Sequence, residues 1–140
     1  MELILWDKAR QAIEKAHTID EVKQIRDKAE AMRAYVKQAR ESLEVQNKVA
    51  EIKLRAERKI GGMLKVEIKQ GGSPKSHDTT LKDLGIKRDQ SSNWQKIAGL
   101  PERTFEGHIA QKKANKEELT TVGVLREAQI YQREQKHKGM

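Results

Sequence analysis

The sequence predicts an all-α protein: an amino-terminal helical hairpin or coiled-coil arm, a flexible linker, and a small helix-turn-helix module. Three observations predict it. Only 4% of the 140 residues are aromatic and 36% are charged, with two prolines, so the core must be thin and built from Ala, Leu, Ile and Val. Such a composition, with Ala, Glu, Lys and Arg recurring at regular spacing, belongs to long helices. One Gly-, Ser- and Pro-containing stretch interrupts that periodicity, and beyond it a short apolar run, a glycine and a second amphipathic run follow in quick succession.

The first helix comes from Leu3, Leu5, Trp6, Ala9, Ile13 and Ala16, a helical stripe over residues 3–16. His17 and Thr18 interrupt it. Thr18 with Glu21 fits a capping box, in which the hydroxyl accepts an otherwise unpaired backbone N–H and the carboxylate reaches back to the cap. Val22, Ile25, Ala29, Met32, Val36, Ala39 and Leu43 then step alternately by three and four, a heptad seam of about three repeats. The same register next meets Gln46 and Ala50, and the seam fades. A second stripe, Val45, Val49, Ile52, Ala56, Ile60 and Met63, takes over. The slip between Leu43 and Val45 is either a stutter in one long helix or a turn capped by Ser42. The turn is preferred, because it lets the two stripes pack on each other.

Gly61 and Gly62 each cost about 1 kcal/mol relative to alanine inside a helix. They are read as a fraying end, the alternative being the close approach of a crossing helix. Glu51, Lys53, Arg55, Glu57, Arg58 and Lys59 fall between the apolar positions and are read as a solvated face, or as the selectors of a partner in an oligomeric coil. Lys69 to Asp78, KQGGSPKSHD, breaks any helix and has nothing to bury. It divides the chain into an arm (1–68), a linker (69–78) and a module (79–140).

In the module, Thr79 or Thr80 caps a short helix ending at Leu84, Gly85 supplies the positive φ of a C-terminal turn, and Ile86 plugs that turn. A second helix runs from near Lys87 to about Gly99. Pro101 suits the first position of a third, carrying Phe105 and Ile109. A last helix follows Thr120 or Thr121, with Val124, Leu125, Ala128 and Tyr131 on one side. Thr79 to Pro101 therefore has the shape of a helix-turn-helix, the commonest way for a small protein to present one helix to the major groove of DNA. Leu81, Leu84, Ile86, Trp94, Ile97 and Ala98 are assigned to the core; Trp94 joins them, rather than stacking on a base, because Ile97 and Ala98 share its helical face. The opposite side shows Lys87, Arg88, Gln90, Ser92, Asn93 and Lys96. Arginine suits guanine, Asn or Gln suits adenine, and Ser and Lys suit phosphate oxygens. Asp89 is read as a cap or an exposed residue, with acceptance from cytosine as the alternative.

The formal charge of +8 favours an acidic partner such as nucleic acid. Without cysteine there are no disulfides and no thiolate metal sites. His17, His77, His108 and His137 are scattered without metal-ligand spacing and are read as surface residues. There is no glycine-rich phosphate loop, nucleophile elbow or HExxH pair, so the chain is expected to be non-enzymatic, with no cofactor and no metal. The apolar run Leu3 to Trp6 is too short for a signal peptide or a membrane span, which makes a cytoplasmic location the default.

The segment EVKQIRDKAEAMRAYVKQARESLEVQNKVAEIKLRAERKIGGML, Glu21 to Leu64, resembles the amino-terminal segment of an uncharacterised family of prophage and mobile-element proteins. In some of these a DNA-methyltransferase or ParB-like region follows. TLKDLGIKRDQSSNWQKIAGLPERTFE, Thr80 to Glu106, resembles the second half of the same proteins and the helix-turn-helix of ParB-type partition proteins. The likeness spans about Ile13 to Gln129. No methyltransferase catalytic motif is present, so that activity is not carried over. Two positions depart from the usual helix-turn-helix pattern: Ser91 stands in place of a buried aliphatic residue, and Leu81 in place of alanine. The expectation is a regulatory, non-enzymatic DNA-binding protein of a phage or mobile element, with the arm forming a homodimer or higher coil so that two modules share one duplex. The alternative is a helical scaffold or phage-encoded inhibitor whose arm binds a host protein, which the fading seam at Gln46 favours. A targeting subunit for a separate DNA-modification enzyme rests on the resemblance alone.

Overall fold

Helix ends fall where backbone groups left unpaired by the helix find local partners. The computed structural model describes residues 3–70 and 81–138, and every regular element among them is a helix. After α1 (Leu3–Lys15), Thr18 opens α2 (Ile19–Gln38) by accepting the Glu21 N–H at 3.2 Å, and its hydroxyl donates to the Glu21 carboxylate at 3.0 Å. Arg40 ends α2 with φ 57°, its N–H donating to Lys37 C=O at 3.1 Å while the Glu41 N–H donates to Val36 C=O at 3.0 Å. That pair of bonds is a Schellman motif. Ser42 Oγ then accepts the Val45 N–H at 3.2 Å at the start of α3 (Leu43–Gln70). The phase slip is a turn. α2 and α3 form an antiparallel hairpin in which Arg26 faces Glu57 and Glu30 faces Lys53.

The heptad seam is consumed inside the chain. Val22 and Ala29 pack with Ile52, Ala56 and Ile60 of α3, and α1 joins this cluster through Ile13 and Ala16. Met32 and Ala39, from the same seam, are exposed.

α3 runs through both glycines rather than fraying at them. Gly61 is buried, and a Cβ built on it would lie 1.9 Å from the Trp94 carbonyl oxygen, so the missing side chain is what admits a crossing helix. Gly62 faces open space. The close approach offered as the alternative reading is the one the structure has at Gly61.

The charged positions of α3 also differ from expectation. Glu51, Lys53 and Glu57 are buried, Glu57 with 0% exposure, and Arg55, Arg58 and Lys59 are half-buried. Helices pack around α3 on both its apolar and its polar sides, so charges that would have met water are neutralised by partners on other helices. Glu57 accepts Arg26 Nε at 2.9 Å and the Thr121 hydroxyl at 2.8 Å, and Thr121 in turn accepts Lys53 Nζ at 2.8 Å. Glu51 pairs with Arg55 at 2.9 Å and with Lys113, while Arg55 donates to Glu106 at 2.9 Å. Lys59 donates to the carbonyls of Ile13 and Glu14 at the end of α1.

Beyond α3 lie α4, whose described residues are 81–84, α5 (Arg88–Ala98), α6 (Glu102–Ala114) and α7 (Thr121–Lys138). Gly85 has φ 72°, with Ile86 N–H donating to Leu81 C=O at 2.9 Å, the glycine-closed turn read from the sequence. Thr120 Oγ1 accepts the Gly123 N–H at 2.9 Å and caps α7. Asn47 of α3 clamps the α6–α7 loop: its amide donates to Glu117 C=O and its carbonyl accepts the Leu119 N–H, each at 2.9 Å. Ala50 and Leu54 of α3 form a second cluster with Ile97, Phe105, Ile109, Val124 and Ala128. Leu81, Ile86 and Trp94 complete the first. Thus α3 belongs to both cores.

Of the linker 69–78, residues 69 and 70 are the last of α3 and the others lie outside the described residues, as do His77 and the caps Thr79 and Thr80. His108 departs from its surface assignment: it is half-buried beside α7, and burial holds its imidazole below the ordinary histidine range.

Candidate nucleic-acid interface

α5 is held from behind. Its buried face is Ser91, Trp94 and Ile97. The Trp94 backbone lies on Gly61, and the Arg26 guanidinium stands over the Trp94 ring, 5.1 Å from its centroid. Ser91, in place of an aliphatic residue, is tolerated because its Oγ accepts Gln95 Nε2 at 2.9 Å. Leu81 fills the first core where a smaller residue would leave space.

Arg88, Ser92 and Lys96 recur every fourth residue and so share the outward face of α5. Together with Gln95, Lys65 of α3 and Gln132 of α7, they line an open groove of about 400 Å³. Among the described residues that line it, three are cations and none is a carboxylate. Lys87 is exposed and Asn93 half-buried, and neither lines the groove. Asp89 is exposed in the first turn. Gln90 turns back on the backbone, where its side-chain oxygen accepts the Lys87 N–H at 3.0 Å and caps the helix. Of the six residues chosen from the sequence, then, Arg88, Ser92 and Lys96 meet in the groove, Lys87 and Asn93 lie outside its lining, and Gln90 shapes the start of α5.

Lys65 and Gln132 are absent from the sequence-based set. Lys65 lies one turn beyond Gly61 on the same side of α3, so the crossing at Gly61 carries it to the edge of α5. A glycine read as a crossing point would have revealed it. Gln132 has no comparable local signal, since only the packing of α7 against α5 brings it there.

Among the described residues no three His, Cys, Asp or Glu side chains are grouped to hold a metal ion, and no helix is long and apolar enough to cross a membrane. No family model, curated protein or solved structure matches this chain. The functional reading rests on the groove itself.

Proposed function

We propose that this chain is a non-enzymatic protein that binds double-stranded DNA through the outward face of α5, serving regulation in a phage or mobile element. The observation that supports it is the groove in which Lys65, Arg88 and Lys96 converge with Ser92, Gln95 and Gln132. Cations at such an edge suit phosphates, and Arg88 with Asn93 supplies donors and acceptors suited to base edges. A homodimer would double the phosphate contacts. Because Val22, Ala29 and Val36 are buried within one chain, that dimer would have to be built on other surfaces.

Fluorescence anisotropy on a labelled duplex over a salt series tests this. Affinity should fall as salt rises, with a slope of about 0.9 per neutralised phosphate on logarithmic axes. Lys96→Ala should weaken binding to every duplex alike, whereas Arg88→Ala and Asn93→Ala should also relax sequence preference. Binding that ignores salt, or that survives all three substitutions, overturns the reading.

A second reading, a helical interaction protein that engages a host or phage protein, is favoured by Tyr35 and Met32, which are 68% and 37% exposed on α2. Under it the chain is a monomer in light scattering, and Tyr35→Ala abolishes capture of the partner while DNA affinity is absent throughout.

A further inference from the structure

The last two turns of α7 carry cations for which neither the core nor ion pairing has any use. Ala128 is the last buried residue of α7 and Tyr131 the last half-buried one; residues 132–138 are all exposed. At 1.5 Å per residue that end projects about 10 Å past Tyr131. It bears Arg133, Lys136 and Lys138 against a single acid, Glu134. Among the described residues, none of the three cations has a carboxylate within ion-pair distance. Its direction is fixed by Gln132, which lines the α5 groove. Lys136 stands one turn further along the same face, and Arg133 stands beside it.

We infer that the carboxy-terminal end of α7 is a second contact for the DNA backbone, with Lys136 and Arg133 extending the α5 groove and Lys138, outside that face, adding charge at the end of the helix. This rests on the proposed binding at α5. Such contacts neutralise phosphates and set the protein's orientation on the duplex, but they carry no sequence information. Cations in the last turn also complement the helix dipole, a role that affects stability and not salt dependence.

The experiment measures anisotropy of two labelled duplexes of unrelated sequence over a salt series with the full chain, with R133A/K136A/K138A, and with R88A/K96A. The triple variant should lose affinity equally on unrelated duplexes, and its salt slope should fall by about 0.9 for each phosphate contact removed. R133K/K136R/K138R should retain the slope, because charge and not side-chain shape is what acts. Circular dichroism controls for folding, which the exposed positions should leave intact. An unchanged slope in the triple variant, with R88A/K96A weakened, overturns the α7 contact and leaves the α5 reading standing. No salt-dependent binding by the full chain overturns both. A lower melting temperature with an unchanged slope assigns the cations to the helix dipole and overturns the inference.

Discussion

Two adjacent glycines in one helix do opposite things. At Gly61 the backbone of α5 occupies the space a side chain would need, whereas Gly62 meets nothing within 4 Å. Gly61→Ala must therefore push Trp94 off α3, and overpacking of this kind costs about 1–3 kcal/mol. Gly62→Ala should stabilise the protein by about 0.5–1 kcal/mol through helix propensity. Urea denaturation of the two variants measures both; equal effects would mean that α5 does not cross at Gly61. Glu57 is as demanding. Replacing it with alanine leaves Arg26 and Lys53 without their buried carboxylate, and losing one partner of a buried pair costs about 3–5 kcal/mol. Residue-scale features were legible in the sequence when their cause was local. Thr18, Ser42 and Gly85 act on backbone within a few positions of themselves, and each stands where the sequence placed it; of Thr120 and Thr121, between which the sequence left the start of the last helix open, Thr120 caps α7. The purpose of Gly61 depends on a helix some thirty positions away, and no neighbouring residue announces it.

At the scale of elements, three helices among the described residues end in the same left-handed turn but not with the same residue. Gly85 adopts it freely; Arg40 and Lys116 adopt it at φ 57° and 55°. A side chain in that conformation costs about 1–2 kcal/mol, part of which glycine returns through its freer unfolded chain. Arg40→Gly and Lys116→Gly should each raise stability by about 0.5–1 kcal/mol, read as a higher thermal midpoint. Helix periodicity recovered the hairpin and the order of the helices beyond it, because one apolar stripe implies one packed face. It failed on α3. A helix enclosed on several sides buries charges as well as aliphatic groups, and a pattern that sorts residues into core and solvent has no place for Glu57. The candidate site was half legible for the same reason. The strip Arg88, Ser92 and Lys96 follows from the period of α5 alone, while Lys65 and Gln132 come from helices that only the tertiary packing brings alongside.

For the whole molecule, the sharing of α3 by both clusters predicts one unfolding transition. Chemical denaturation followed by far-UV circular dichroism and by tryptophan fluorescence should give coincident curves; separate transitions would restore an arm and a module as independent units. Acid should unmake the same assembly. Arg33 holds the Glu30 carboxyl at about 2, Arg55 holds Glu106 below the usual range, and Lys113 with Arg55 outweighs the burial that would raise Glu51. Carboxyls depressed in the folded state bind protons more readily when unfolded, so their stabilisation is complete above about pH 4.3 and fades as pH falls through the lower folded values. His108, also depressed, adds a loss that begins below about pH 6.5, and His108→Gln should remove that component while leaving the acid limb. Thermal melts across pH 2–8 separate the two. The backing of α5 by Gly61 and Arg26 has a last consequence, for the thermodynamics of recognition. A helix wedged backbone to backbone cannot roll about its own axis, so the orientation of Arg88, Ser92 and Lys96 is settled before any ligand arrives. Whatever binds that face is spared the cost of ordering the helix that carries it, and only the side chains themselves remain to be immobilised.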